Sequence, residues 1–439
     1  MSVFKAYDIR GVYPREINET LAYMIGRAFV IFLSCKKVVV GRDARLSSPS
    51  LFEALTRGIT DQGADVMDIG VCTTPLVSFA VASKELDAGI MISASHNPSQ
   101  YNAFKIIGKR AVQLHKDTGI ENIRQIVEKG VFPDAKKGRI IHFKILEDYI
   151  SHIMSFVVGI KGIKIVVDYG NGVGSITAKP VFAKLPIKVI GMFEEPDGTF
   201  PNHPANPHDV ENIAPLQKKV LEEKADVGLF FDGDGDRCLF VDEHGKIVFP
   251  DLLLALLAQA ELAKHTHEKV YFDLRFSRVV KDVIERSGGI PVMMRVGNPY
   301  YKEKLVYEGG VCGGEFSGHM FFRDNYCIDD GLFAAIKLLS LLSSKGRPLS
   351  ELINPLKVYF SSEEISLHVK DTDSVIEKVR REFSDGENIE LDGLLIQYSD
   401  WWFSLRKSNT EPLVRLRLEA NTAEKLERMR SKLFSIIKS

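Results

Sequence analysis

A short apolar run that ends in aspartate and then gives way to a helix-like stretch recurs along this chain. It constrains the fold more than any other feature. Val38-Val39-Val40 leads into Gly41-Arg42-Asp43, and Ile165-Val166-Val167 into Asp168-Tyr169-Gly170-Asn171-Gly172. Residues 227–231 lead into Asp232, and Val270-Tyr271-Phe272 into Asp273. Continuous apolar strands belong to sheets buried on both faces, and their alternation with helices makes α/β units. In such sheets ligands gather at the carboxyl ends of the strands, so chemistry is expected at the aspartate-bearing turns. For Asp43 and Asp273 the simpler expectation is a cap on the following helix.

The 439 residues leave room for several domains. Lys136-Lys137-Gly138-Arg139 and the helix-like residues 146–157 close a first unit near residue 150. Pro250 opens a new helix after an apolar strand, and Asn354-Pro355 marks a further turn. Beyond residue 363 short strands at 366–369, 394–398 and 413–418 precede a last helix of 3.6-residue period. The expected domains are 1–150, 151–249 and 250–358, all α/β, and 359–439, a smaller α+β unit.

Lys+Arg is 57 and Asp+Glu is 58, a formal net charge of -1, so no excess positive field draws the chain to nucleic acid or anionic membranes. Five scattered cysteines without a C-x-x-C pair argue against a disulfide framework or a zinc site. The opening residues lack an apolar secretory core, and the most apolar stretch, 252–257, is too short to span a bilayer. A cytoplasmic protein is the expectation.

Four segments carry chemistry. In the first, Ile90-Met91-Ile92 stops at Ser93-Ala94-Ser95-His96-Asn97-Pro98, which exposes Ser95 at a strand end. A serine hydroxyl can carry a phosphoryl group, although alone the segment reads more readily as a plain turn. The second is Asp232-Gly233-Asp234-Gly235-Asp236-Arg237. Its carboxylates converge on one cation if the backbone curls tightly, which the glycines permit, and Mg²⁺ suits such oxygen ligands. An EF-hand would use Glu243 as its twelfth residue, but Arg237 stands where that loop requires glycine. Arg237 suits bidentate phosphate binding.

The third segment is Gly313-Gly314-Glu315-Phe316-Ser317-Gly318-His319, where Glu315 and Ser317 share a side if the backbone is extended. Both can bond sugar hydroxyls, and a glycine-rich loop with His319 in the core fits equally well. The fourth, Arg406-Lys407-Ser408-Asn409-Thr410-Glu411-Pro412, gathers cations, hydroxyls and an amide suited to a phosphate dianion. On its own it reads as a solvated basic loop. Jointly the four segments specify phosphoryl transfer on a sugar phosphate.

With these loops and the opening Ala6-Tyr7-Asp8-Ile9-Arg10-Gly11, the chain resembles the α-D-phosphohexomutase family, in its phosphomannomutase/phosphoglucomutase branch. The resemblance runs nearly end to end. It implies four domains around a central cleft: three related α/β domains with mixed sheets and a smaller C-terminal α+β domain. It implies an isomerase acting through a phosphoserine and a hexose 1,6-bisphosphate that also serves as primer, with Mg²⁺ bound. By this resemblance Ser95 is the phosphoserine, and Asp232, Asp234 and Asp236 hold Mg²⁺ with one oxygen of its phosphate. Arg10, His96, Lys105 and Arg237 surround the reacting group, with Lys105 and His319 as proton carriers. Glu315 and Ser317 read sugar hydroxyls; Arg406, Ser408, Asn409 and Thr410 grip the phosphate that stays. Tyr7, Arg295 and Asn298 complete the substrate contacts, the last two in a loop where relatives often carry Lys and His. The expected partners are hexose phosphates, mannose and glucose together, with no nucleic acid or membrane, acting on a monomer or homodimer.

Three rivals stand beside this reading. A haloacid-dehalogenase-type phosphotransferase would use Asp232 as nucleophile with Asp329-Asp330 as its downstream acidic pair. A phosphoglucosamine mutase would differ in substrate, and a sugar-phosphate-binding regulator would have lost turnover.

Overall fold

The structure, a computed structural model, describes residues 3–207, 209–407 and 413–438. The chain divides into two compact units. The first comprises Met1–Phe249, Gly297–Cys312 and Ser317–Ser350; the second comprises Pro250–Val296, Gly313–Phe316 and Glu351–Ser439.

The first unit contains two mixed sheets. One holds β1 (Ile9–Val12), β2 (Lys37–Arg42), β3 (Asp65–Val71), β4 (Ala88–Ile92), β5 (Tyr101–Ile107) and β6 (Ile140–His142), in the order β1-β5-β4-β2-β3-β6. Strands β4, β2, β3 and β6 are paired in parallel, whereas β5 runs antiparallel to β4 and β1. The apolar runs explain the parallel centre: Val38 to Val40 and Ile90 to Ile92 are fully buried. The other sheet holds β7 (Lys164–Asp168), β8 (Lys188–Met192), β9 (Val227–Phe231), β10 (Cys238–Asp242) and β11 (Ile247–Val248), in the order β11-β10-β9-β7-β8. Here β8, β7 and β9 are parallel, and β10 returns antiparallel to β9.

In the second unit β12 (Lys269–Asp273) pairs in parallel with β13 (Ile290–Met294). The apolar stretch 252–257 lies in the helix Pro250–Leu262 and is buried along its length. In sequence, β14 (Cys312–Gly314) and β15 (Met320–Phe322) flank residues 315–319. The C-terminal part is an antiparallel sheet of β16 (Phe360–Ser361), β17 (Ile365–His368), β18 (Glu387–Ile389), β19 (Leu394–Gln397), β20 (Trp401–Lys407) and β21 (Leu413–Ala420). Its order is β16-β21-β20-β19-β18, with β17 paired to β21. Phe383, Trp401, Phe403, Leu416 and Leu433 centre its core.

All four strand-end aspartates, Asp43, Asp168, Asp232 and Asp273, are buried, at 0–3% exposure. Asp43 and Asp273 do not cap the following helices, contrary to expectation. The helix Ser48–Asp61 starts after Ser47, and the helix Arg278–Arg286 is capped by Ser277, whose Oγ accepts from the Val279 amide. Instead Asp43 accepts from Arg45 Nε at 3.1 Å and Asp273 from Arg275 Nε at 2.9 Å. A fully buried carboxylate needs a charged partner more than an amide, and the arginine two residues on supplies it. Among the described residues no helix is long and apolar enough to cross a membrane.

Candidate active site

Strand β4 delivers Ser95 to its carboxyl end in the left-handed backbone region, at φ 50°. A non-glycine residue adopts that conformation only where surrounding structure enforces it. Ser95 is 4% exposed. Its Oγ donates to Asp232 Oδ2 at 2.7 Å and accepts from Arg237 Nη2 at 2.7 Å. His96 Nδ1 stands 3.2 Å from the same oxygen.

Residues 232–237 form the turn between β9 and β10. Glycine is required there for two reasons. Gly235 sits at φ +72°, and a Cβ on Gly233 would stand 2.5 Å from the Ser95 carbonyl oxygen. The turn brings ligand atoms of Asp232, Asp234 and Asp236 within 4.8 Å of one another, all buried. Thr74 and Lys105 both donate to Asp234 Oδ2 at 2.5 Å, and Lys105 reaches Asp236 Oδ2 at 2.6 Å.

The electrostatics are those of a site built around positive charge. Burial pushes Asp232 up to about 7, with Arg237 acting against it and Asp236 and Asp234 adding to it. Asp234 feels the same burial, yet Lys105 and Thr74 hold it well below the ordinary carboxylate value. Lys105 is disfavoured as a cation by burial, but the three aspartates outweigh that and hold it protonated. Asp234 Oδ1 and Asp236 Oδ1 are buried with no hydrogen-bond partner among the described residues. Such orphaned carboxylate oxygens fit a hard divalent cation, which would satisfy them and relieve the mutual repulsion. The cluster is compatible with magnesium.

The sheet registers bring the remaining first-unit residues in. Arg10 lies opposite Ala103, and Lys105 opposite Met91, so β5 carries Lys105 between β1 and β4. Arg10 is held by Asp8 and reaches the Asn97 side chain of the serine loop. His319 forms a backbone bridge with Arg237, and its Nδ1 lies 2.9 Å from Asp329 Oδ2 and 3.8 Å from Asp236 Oδ1. Burial lowers the pKa of His319, but Asp236 and Asp329 more than offset it and raise it. Asp329 is itself fixed by Lys302 at 2.6 Å and by Asn298 Nδ2 at 3.0 Å. Tyr7 packs edge-on to Tyr300, and its carbonyl accepts from Gln113. Asp330, the other half of the dehalogenase-type acidic pair, caps the helix Gly331–Lys345.

The second unit holds the other expected contacts. Glu315 is 3% exposed. Residues 315–317 are not extended: the chain turns at Phe316 and Ser317, so the same-side geometry of an extended segment does not apply. The Phe316 amide donates to Asp273 Oδ2 at 3.0 Å, and its ring lies under the guanidinium of Arg275 at 4.8 Å and of Arg417 at 4.2 Å. Arg406 reaches Asp392 at 3.3 Å and Glu364 at 3.5 Å. Arg295, at the end of β13, is exposed. Ser408, Asn409 and Thr410 lie outside the described residues.

Sequence reasoning missed Thr74, Lys302, Arg45 and Arg275, and named Asp329 only as half of the dehalogenase-type acidic pair. For the two arginines a signal was available, because Asp-x-Arg follows β2 and β12 alike.

Comparison with known proteins identifies the family. Residues 1–134, 147–245, 249–359 and 364–436 match, in order, the family models for phosphoglucomutase/phosphomannomutase alpha/beta/alpha domains I, II and III and the C-terminal domain. The chain is 37% identical over 433 residues to a phosphomannomutase of Salmonella montevideo, covering 96% of this chain and 95% of that one. It is 36% identical to a phosphoglucomutase of Neisseria gonorrhoeae, covering 100% and 97% respectively. The solved structure of a phosphoglucomutase/phosphomannomutase family protein from Burkholderia thailandensis superposes with a TM-score of 0.92 at 35% identity, over 99% of this chain and 97% of that one.

Proposed function

Because the chain belongs to the phosphoglucomutase/phosphomannomutase family, we propose that it interconverts hexose 1-phosphates and hexose 6-phosphates of mannose and glucose. The reaction runs through phosphorylated Ser95 and a hexose 1,6-bisphosphate. The observation that carries this reading is the Ser95 hydroxyl, held between a carboxylate and a guanidinium at 2.7 Å each beside three buried aspartates.

A sugar hydroxyl attacks the phosphorus of phosphoserine 95, and the bond to Ser95 Oγ breaks. The bisphosphate turns over, and its other phosphoryl group returns to Ser95 Oγ. Arg237, His96 and Arg10 offset charge on the equatorial oxygens and keep attacking and leaving atoms in line. Asp232, Asp234 and Asp236 would hold Mg²⁺, which would supply further positive charge to the reacting group when bound. Lys105, held protonated between Asp234 and Asp236, acts as a cation and proton donor. His319 has its Nδ1 engaged by Asp329, which leaves Nε2 as the ring atom for a sugar hydroxyl proton. Glu315, Ser317, Arg295, Asn298 and Tyr7 contact the sugar. Arg406, with Ser408, Asn409 and Thr410, holds the spectator phosphate. Exclusion of water keeps the phosphoserine from hydrolysis.

Coupled assays with mannose 1-phosphate and glucose 1-phosphate, with Mg²⁺ and a 1,6-bisphosphate primer, test the activity, and glucosamine 6-phosphate tests the specificity. Turnover of both hexose phosphates and an acid-stable ester on Ser95 are expected. A hydroxylamine-labile acyl phosphate on Asp232 supports the dehalogenase-type rival, and no turnover supports an inert binder. A preference for glucosamine of about tenfold or more, about 1.4 kcal/mol, overturns the specificity.

A further inference from the structure

Arg45 does not approach solvent; its side chain is 0% exposed. A guanidinium carries five N–H donors in a rigid plane. All five are engaged. Nε donates to Asp43 Oδ2 at 3.1 Å. Nη1 donates to the carbonyls of Pro98 at 2.6 Å and Tyr101 at 3.0 Å. Nη2 donates to the carbonyls of Ser95 at 2.8 Å and Asn97 at 2.6 Å. The four carbonyls belong to one short loop, the one that begins at Ser95. Three lie within the loop, and the fourth, that of Tyr101, belongs to the residue where the loop ends and β5 begins.

Asp43 secures the opposite side of the same residue. Its carboxylate accepts from the Ser48 hydroxyl at 2.6 Å and bonds the Ser93 side chain. Ser93 Oγ in turn accepts from the Ser95 amide at 3.0 Å. The carbonyl and the amide of Ser95 are therefore both tied to the Asp43–Arg45 pair, one directly and one through Ser93. Phe200 packs against the guanidinium, with its ring centroid 5.0 Å away.

We propose that Arg45 is a positioning residue for phosphoryl transfer: with Asp43 it holds the serine loop in the left-handed turn that aims Ser95 Oγ between Asp232 and Arg237. This rests on Ser95 being the phosphoryl carrier. A left-handed serine has easier conformations to fall into, and buried carbonyls that lose their guanidinium donors are costly to leave underpaired. Lysine keeps the charge but offers three tetrahedral donors, too few for five coplanar acceptors. With lysine the loop relaxes, and Ser95 Oγ leaves the line of transfer. In-line geometry is lost steeply with small displacements, so the rate falls before binding does.

The test uses the full chain with Arg45→Lys and, as a milder variant, Asp43→Asn. Amide hydrogen exchange reads the loop, and steady-state assays with glucose 1-phosphate read its effect. In Arg45→Lys, exchange over residues 94–101 is expected to rise at least about tenfold, while the other sheet amides stay as in the parent. kcat is expected to fall at least about tenfold, with KM within about twofold. Asp43→Asn is expected to fall between parent and Arg45→Lys on both measures. Folded Arg45→Lys with parental loop exchange, or with parental kcat, overturns the proposal. If Arg45→Lys does not fold, Asp43→Asn decides by the same two measures. If the parent protein carries no phosphate on Ser95 after priming, the functional reading fails, and the exchange measurement alone still judges the positioning role.

Discussion

The same three-residue device, Asp-x-Arg at the end of a parallel strand, occurs once in each compact unit and is used in opposite ways. In the first unit Arg45 does the holding: its donors take four backbone carbonyls of the serine loop, and Asp43 mainly anchors the guanidinium. In the second unit Asp273 does the holding: its carboxylate takes the Phe316 amide beside Glu315, and Arg275 neutralises it from 2.7 Å. Arg275 also meets a carboxylate, Glu364 at 3.3 Å, and the Phe316 ring. A loop that presents carbonyls inward is thus pinned by the cation of the pair, and a loop that presents an amide is pinned by its anion. The two loops carry different work. On the proposed function, one bears the reacting hydroxyl and the other a sugar contact. Damage to the first should therefore appear in kcat, and damage to the second in KM.

The largest effect sets the ceiling for the first loop. Ser95→Ala should lower kcat on the order of 10³-fold or more with an unchanged melting temperature, because it removes the carrier atom itself. Full activity in folded Ser95→Ala would end the argument for that loop. Next comes the aspartate turn, proposed to serve the same step. Asp236→Asn should cost about 10²–10³-fold in kcat. Chelation should abolish turnover, and added Mg²⁺ should restore it. The second unit gives the contrast. Asp273→Asn keeps the shape but weakens the hold on Phe316 and Glu315. It should raise KM for the hexose phosphates about tenfold, about 1.4 kcal/mol, and leave kcat within about threefold. A fall in kcat at constant KM would mean that both devices serve the chemical step, and the contrast would break.

What the residues announced in advance were groups whose signal is local. Asp232, Asp234 and Asp236 alternate with glycine directly after an apolar strand, so their convergence follows from spacing alone. Ser95 sits where an apolar run stops. The parallel strands β2, β4, β7, β9 and β12 follow from the apolar runs in the same way, whereas the mixed sheets were implied only by the family resemblance. The acceptors of Arg45 are backbone carbonyls about fifty residues away, which carry no sequence signal, so only the Asp-x-Arg spacing pointed to it. Asp43 and Asp273 looked like caps because a cap is the commonest local use of aspartate before a helix; burial decided against it. Arg417 was hidden by the alternation of β21, which suggests a solvated arginine. It is 5% exposed, pairs with Asp251 at 3.1 Å and stacks on Phe316.

A third strand end extends the comparison, because its partner can titrate. Asp168, at the end of β7, accepts from the Gly170 amide at 2.8 Å and faces His203 Nε2 at 3.1 Å. His203 Nδ1 faces the Pro204 carbonyl at 2.9 Å. With acceptors at both ring nitrogens, the doubly protonated ring is the form that fits. Burial disfavours that charge, but Asp168 and the carbonyl outweigh burial and raise the pKa of His203. The folded state therefore holds a proton that the unfolded chain releases more easily. The stabilisation is complete below the unfolded histidine value of about 6.5 and is lost as pH rises through the higher folded value. The gap in melting temperature between the parent protein and His203→Gln should be widest below about pH 6.5 and should narrow towards alkaline pH. An equal gap at every pH would make His203 a neutral hydrogen-bonding residue. The strand-end aspartates thus share one architecture, and the residue opposite each decides whether its loop is held permanently or by a proton.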